Sequence, residues 1–576
     1  MRILYFDIDS CRPDHLGCYG YQRPTSPVID DLAQKSILFR QCHTSDAPCL
    51  PSRAALFSGR FGINNGVTCH DGPASQLRYA GRGHQHDPRS PMWMRYLQLQ
   101  NWETIGFSGF GQRHLAWWFF AGFTQNFGNQ LPGYSESATE VTEKVLWWLR
   151  ANGTTQNWFM HVNYWDVHHP YAAPQKFFDQ VRTVAYTGAP DAQAIARDAH
   201  DYYGPRTARS WWSEFPDWHN PQQGRTSRMP KDNPDTRETL TGFVDGHDAG
   251  VAYVDEQIGR VLVLLEQLGI REETAIIVSS DHGESVGELG MYFEHGNCCE
   301  GTTHVPLLVH WPGMTDRPDF PPTRRSRDGL IYQVDLAPTV LELLGMEVPT
   351  RWDGSSFAPA VQGKSFAARD HLILGTGIFS FQRAVRTEGY RLIRTIHSGL
   401  FPYDPLYLFD MQSDPQQRHN LAAERPGVVA ELDHLLLEWL WRYTTGPDGV
   451  RDPFQEQLEA GFDPDLYCPR QRIEERILDL GRNDQLADLR RRRDLQPILR
   501  PTPIEKFPAQ AVNPKMLWLF RTFDTSLNAL CQNKRPSTQD SRSTLQPIYQ
   551  LTKGSKLSVK ADTSPDQNVV LSLAEC

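Results

Sequence analysis

Cys49, Pro51 and Arg53 fall in one short run, Cys49-Leu50-Pro51-Ser52-Arg53, followed by Ala-Ala-Leu-Phe-Ser-Gly-Arg. Proline has no amide hydrogen to satisfy in the first turn of a helix, so the run predicts a helix with Cys49 at its mouth. Exposed amides and the positive end of the helix dipole meet there, and a transferring anion would be held at that point. Arg53 adds charge at a short, fixed distance. The competing reading is a buried structural thiol, the commoner state of cysteine.

The elements that must position this loop can be read around it. Residues 2–9 are mostly apolar, as in a central strand covered on both faces, and the strand runs out at Asp7 and Asp9. Open α/β sheets place ligands beyond such carboxyl ends. Asp7 also fits a turn cap. A second strand, Thr274–Val278, leads into Ser279-Ser280-Asp281-His282-Gly283-Glu284, and a third, Trp158–Val162, into Asp166-Val167-His168-His169-Pro170-Tyr171. A histidine suits an anion site, because near neutrality it can bind the anion when protonated and pass a proton on.

Helices are expected at 28–37, at 137–149 behind a Ser-x-x-Glu capping box, at 247–268 with apolar residues at helical spacing, and at 335–344. Residues 70–92 read as a surface loop, with His84 and His86 as solvated residues. Residues 180–242, which include Trp211, Trp212 and Trp218, have little periodicity and read as a lid or specificity insertion whose aromatic rings suit a sugar or aryl group, with a partner-binding surface as the competing reading.

The chain has 576 residues, too many for one ordinary core, so two or more domains are expected. Its formal net charge of -10 argues against nucleic acid as a partner. Ten irregularly spaced cysteines do not make a disulfide framework. A strand that begins at residue 3 leaves no room for a secretory leader, and no apolar run is long enough to span a membrane. The expected location is therefore cytoplasmic.

The Cys-x-Pro-Ser-Arg run and the strand-end Ser-Asp-His-Gly together resemble the type I, formylglycine-dependent sulfatases of the alkaline phosphatase-like superfamily, close to the arylsulfatase and phosphonate monoester hydrolase branch. The resemblance covers residues 2–442. It implies an α/β fold, an alkaline phosphatase-like sandwich with a large mixed, mostly parallel sheet flanked by helices, plus a smaller C-terminal α+β subdomain. It also implies that Cys49 is converted to 3-oxoalanine (formylglycine) by a formylglycine-generating enzyme, and that a hydroxyl of the hydrated aldehyde attacks sulfur.

In the same terms Asp9, Cys49, Asp281 and His282 are expected to hold one divalent ion. Ser10 stands where many relatives have a second aspartate. Oxygen-rich ligation favours Ca²⁺, with Mg²⁺ or Mn²⁺ as alternatives. The resemblance assigns Arg53 to the sulfate oxygens and His168 or His295 to the departing alcohol, while His114 would take the proton of the second hydroxyl. His295 replaces a usual lysine and is expected to lose its charge near pH 6 to 7. Gln112 replaces another lysine, with Arg113 beside it as the substitute charge. His304 is a further substrate-binding candidate, and Glu300 a structural anchor.

The domains expected are a catalytic domain at 1–370 with the insertion at 180–242, a four-stranded sheet and helix at 371–442, and a partly helical extension at 443–576 with a loosely ordered end. The leading function is hydrolysis of a sulfate ester on a small molecule or saccharide, with a homo-oligomer compatible with the C-terminal extension. The rival readings are a phosphonate monoester or phosphodiester hydrolase using the same site, and a non-catalytic protein that binds sulfated glycans.

Overall fold

The computed structural model describes residues 1–78, 91–128, 136–201, 207, 227–399, 401–445, 449–460, 470–479 and 481–494, together with three short strands at 550–552, 556–558 and 570–572. His84, His86, Trp211, Trp212 and Trp218 lie outside these residues. Residues 1–501 form one compact unit that holds both main sheets, and residues 502–576 belong to a second.

The large sheet begins with β1 (Arg2–Ile8), β2 (Ile37–His43), β4 (Glu103–Phe107) and β5 (Gln125–Asn126). It continues with β6 (Trp158–Tyr164), β7 (Thr274–Ser279), β8 (His304–His310) and the short β9 (Ser326–Arg327) and β10 (Ile331–Tyr332). Among the described residues the order is β10-β2-β8-β7-β1-β6-β4-β5, with β9 also on β2. β1 runs parallel to both β6 and β7, and β8 runs antiparallel to β7 and β2.

The unbroken apolar run of β1 is explained by its two covered faces. Leu4, Phe6 and Ile8 pack with Trp148, Val254 and Ile258 on one side, from the helices Ala138–Asn152 and Arg237–Gln267. Ile3 and Tyr5 pack with Leu50, Ala54, Leu56 and Phe57 of the Cys49–Ser58 helix on the other. Strand alternation therefore turns Asp7 toward that helix.

The Ala138–Asn152 helix opens at Ser137 with both hydrogen bonds of a capping box. The Arg237–Gln267 helix starts ten residues before the expected position, inside the stretch read as an insertion. Thr236 caps its amides, and Leu240, Phe243 and Val244 bury themselves against Tyr171, Tyr292 and Phe293. Within the expected insertion the described residues also form the helix Ala192–Asp201.

A second sheet contains β11 (His371–Gly377), β12 (Phe381–Thr387), β13 (Tyr390–His397) and β14 (Leu406–Asp410), all antiparallel, with the Pro426–Thr444 helix against it. Among the described residues a further strand joins these four. The fifth, β3 (Asp46–Ala47), comes from the segment just before Cys49 and pairs in parallel with Gly375 and Thr376.

The short strands at 550–552, 556–558 and 570–572 form a three-stranded antiparallel sheet, and the rest of the end expected to be loosely ordered lies outside the described residues. No helix among the described residues is long and apolar enough to cross a membrane.

Candidate active site

The Cys49–Ser58 helix places Cys49 at its first position, and Gly59, at φ 67°, ends it with a left-handed turn. Cys49 is buried, and its Sγ lies 3.0 Å from His282 Nε2. Asp9 at the end of β1 and Asp281 at the end of β7 complete a set with Cys49 and His282 in which the ligating atoms all lie within 4.8 Å of one another. His282 Nδ1 donates to the Gly283 carbonyl at 2.8 Å, so the hydrogen sits there and Nε2 keeps its lone pair toward the cluster. Two carboxylates and one such imidazole are a fitting donor set for a hard divalent cation.

Arg53 lies one turn into the helix and is 1% exposed. Its Nε donates to Asp7 Oδ2 at 2.9 Å, Nη1 to Asp281 Oδ2 at 2.6 Å and Nη2 to Asp9 Oδ2 at 3.0 Å. The guanidinium fork thus joins three carboxylates. Parity explains Asp7, which shares the face of Tyr5 and meets the helix rather than the ligand set. Ser52 Oγ donates to the Asp281 carbonyl at 2.6 Å, fixing the end of β7 to the same helix.

Cys49 belongs to a second set. Its Sγ and ring nitrogens of His168 and His295 also lie within 4.8 Å of one another. The two histidines differ in environment. His168 Nδ1 donates to the His169 carbonyl at 2.7 Å, leaving Nε2 as an acceptor, and burial followed by the nearby His295 charge pushes its pKa well below the ordinary value.

His295 Nδ1 faces Glu284 Oε1 at 3.2 Å. Burial opposes its charge, but the Glu284 carboxylate and its hydrogen bond outweigh that and raise the pKa to about 9. The expected loss of charge near pH 6 to 7 is therefore corrected: Glu284 supplies the field that keeps the ring protonated where a free histidine would be neutral. The loop that carries His168 is seated by Gly250 of the long helix, where an added Cβ would lie 2.4 Å from the Asp166 carbonyl oxygen.

The neighbouring candidates face different ways. Arg113 lies over Trp165, its guanidinium carbon 3.3 Å from the ring centroid. Burial lowers its pKa to about 10, while Asp9 and Cys49 act in the opposite direction. Gln112 instead packs its amide against Gly128, and its Oε1 is buried without a hydrogen-bond partner among the described residues. His114 stacks edge-on to His70, with ring centroids 5.0 Å apart, and burial pushes its pKa well below the ordinary value.

His304 is held elsewhere. Its Nε2 donates to the Arg40 carbonyl at 2.7 Å and its ring stacks on His43, so these contacts do not bring it to Cys49. Glu300 accepts from Arg391 Nη1 at 2.7 Å and Arg386 Nε at 3.2 Å, tying the loop after His295 to β12 and β13.

His70 was not anticipated. Its Nε2 accepts from the Leu50 amide at 3.4 Å, beside Cys49, and burial followed by the His295 charge lowers its pKa to about 3. No motif marks it. Left-handed turns at Gly59 and Gly66 reverse the chain and return it to the first turn of the helix.

The Sulfatase family model matches residues 2–346, and the model described as N-sulphoglucosamine sulphohydrolase, C-terminal, matches residues 287–441. The chain is similar to the choline-sulfatase of Rhizobium meliloti, 24% identical over 453 residues that span 70% of this chain and 79% of that protein. A protein solved in complex with its substrate D-glucosamine-2-N,6-O-disulfate superposes with a TM-score of 0.59 at 20% identity, covering 78% of this chain and 99% of that one. The phosphonate monoester hydrolase of Agrobacterium radiobacter has a TM-score of 0.58 at 20% identity, with the same two coverages.

Proposed function

The chain belongs to the sulfatase family and is a sulfuric ester hydrolase, and from that premise we propose that Cys49, as formylglycine, is its nucleophile. The observation that carries this reading is that Cys49 is shared by two buried sets, Asp9, Asp281 and His282 on one side and His168 and His295 on the other. Asp9, Asp281 and His282 would hold the divalent ion, Ca²⁺ first and Mg²⁺ or Mn²⁺ as alternatives. When bound, the ion offsets the charge of the carboxylates and of the incoming anion and polarises the oxygen on residue 49. A hydrated formylglycine presents that oxygen to sulfur.

The remaining work falls to the protein's own side chains. His295, protonated through its contact with Glu284, gives a hydrogen from Nε2 to the oxygen of the departing alcohol. His168, neutral with its Nε2 lone pair free of the His169 contact, accepts the hydrogen of the attacking residue-49 hydroxyl; His295, left neutral by its transfer, then takes the hydrogen of the second hydroxyl, so that the aldehyde re-forms and the carbon–oxygen bond to sulfate breaks. Two histidines held on opposite sides of neutrality by their surroundings suit an acid and a base. Arg113 would add positive charge for the sulfate, replacing the lysine absent at 112. His114 and His70 would wall the pocket. Arg53 would keep Asp7, Asp9 and Asp281 together, a positioning role. We also propose that the substrate is a sulfated small molecule or saccharide and that a formylglycine-generating enzyme matures residue 49.

Peptide mass spectrometry across residue 49 tests the nucleophile. The mass of an aldehyde in place of the thiol is expected in active protein; an unmodified thiol in protein of full activity sinks the assignment. Rates measured side by side on sulfate and phosphonate monoesters test the substrate class, and a large preference for the phosphonate overturns it.

A further inference from the structure

Behind Asp9 lies another buried set that the chemistry above leaves unused. Ligating atoms of His15, His247 and Asp248 lie within 4.8 Å of one another. Asp248 is already engaged: Oδ1 accepts from His15 Nδ1 at 2.6 Å, and Oδ2 accepts from the Tyr21 hydroxyl at 2.7 Å and from Arg23 Nη1 at 2.9 Å. A guanidinium on that carboxylate opposes a second cation, so the set reads as a hydrogen-bonded frame rather than an ion site. One bond leads out of it toward the active site. His247 Nε2 lies 3.1 Å from the carbonyl oxygen of Ser10, and because a carbonyl only accepts, Nε2 carries the hydrogen.

Ser10 follows Asp9 and has φ 60°, the left-handed region that side-chain-bearing residues rarely adopt. Each of its polar groups is engaged. The amide donates to Asp281 Oδ1 at 3.2 Å, the hydroxyl to Asp9 Oδ1 at 3.3 Å, and the carbonyl accepts from His247. One strained residue therefore couples both carboxylates of the metal set to the Arg237–Gln267 helix. That helix is firmly seated there, since Gly246 and Gly250, on either side of His247, pack against Tyr171 and the Asp166 backbone. Strained backbone persists where its surroundings over-determine it, and His247 is the part of those surroundings contributed by the helix.

We propose that His247 is a positioning residue: by holding the Ser10 carbonyl it fixes the left-handed turn that brings Asp9 and Asp281 to one cation. It touches no reacting atom and acts through Ser10. The inference rests on the metal reading given under Proposed function.

The test compares His247→Phe, which keeps a ring but cannot donate, with His247→Gln, whose side-chain amide can. Ca²⁺ is titrated calorimetrically into each metal-free, full-length protein, and deuterium uptake across residues 9–14 is followed without metal. The phenylalanine variant is expected to bind Ca²⁺ about tenfold or more weakly, the range seen when a partner of a metal ligand is lost, and to exchange faster at 9–14. The glutamine variant is expected to behave as the wild type in both.

Wild-type affinity and exchange in His247→Phe overturn the proposal. Equal weakening in both variants also overturns it, because ring volume rather than the hydrogen bond would then matter. If the phenylalanine variant does not fold, the glutamine variant decides: native affinity and exchange support the hydrogen bond, and their loss refutes it. A wild-type protein that takes up neither Ca²⁺ nor Mg²⁺ sinks the metal reading instead, while the exchange measurement still decides whether His247 holds Ser10.

Discussion

Replacing Glu284 by glutamine removes a charge from beside His295 while keeping a side chain that can still accept from Nδ1. In the native protein the ring titrates at about 9 against an ordinary 6.5, although burial works against it. That difference is worth about 3 kcal/mol in favour of the protonated ring. Without that carboxylate the value falls toward the ordinary 6.5, with Glu294 and Asp9 still raising it against burial. For a value that fell all the way to 6.5, the protonated fraction at pH 8 would drop from about nine-tenths to about 3%, while at pH 6 it would stay above about one half.

If His295 is the acid, Glu284→Gln therefore loses up to about 30-fold in rate at pH 8 and at most about twofold at pH 6. The assay is a kcat profile from pH 5.5 to 9.5 on a sulfate ester, at saturating metal for both proteins so that the difference belongs to Glu284. A basic limb that stays near 9 in the variant refutes the reasoning. Stability has the same sign: a raised imidazole pKa gives a contribution fully present below about 6.5 and lost as the pH rises through about 9. Thermal melts of the wild type should fall more steeply than those of the variant across that window.

Cys49→Ala should abolish turnover and leave the melting temperature nearly unchanged, because the thiol is small and the helix keeps Leu50, Ala54 and Phe57 in the core; residual turnover near the wild-type rate counts against residue 49. Arg53→Met leaves three buried carboxylates without their shared guanidinium and should destabilise the metal-free protein by about 3–5 kcal/mol in urea unfolding, with added Ca²⁺ recovering part of the loss. Gly250→Ala puts a methyl against the Asp166 carbonyl and should cost about 1–3 kcal/mol; displacement of the His168 loop would also lower kcat, and an unchanged melting temperature would show that the helix has room there.

Much of the site was legible because it lies at strand ends. Asp9, Asp281 and His282 follow apolar runs whose end points the sequence marks, and Pro51 places Cys49 at the start of its helix. What could not be read depends on contacts across the fold. The bond from His247 to Ser10 spans 237 residues, and that from Arg53 to Asp281 spans 228. The position of His70 follows from two chain reversals, and no spacing of residue types encodes them. The charge of His295 is not written in its neighbours along the chain, because Glu284, eleven residues away, raises the pKa only once the fold brings the carboxylate to the ring. The early start of the 237–267 helix was missed because its first three turns look polar and irregular until Tyr171 and Phe293 are brought against Leu240, Phe243 and Val244.

The pairing of Asp46 and Ala47 with Gly375 and Thr376 sets an order of events during synthesis. The thiol at 49, 3% exposed in the finished fold, is anchored by a strand that leaves the ribosome roughly 330 residues later, a delay of tens of seconds at about 5–20 residues per second. On the maturation proposed above, an enzyme that needed Cys49 accessible would have its opportunity in the nascent chain. A chain cut before residue 371 would never acquire the partner strand of Asp46 and Ala47, so the segment leading into Cys49 would stay without that pairing.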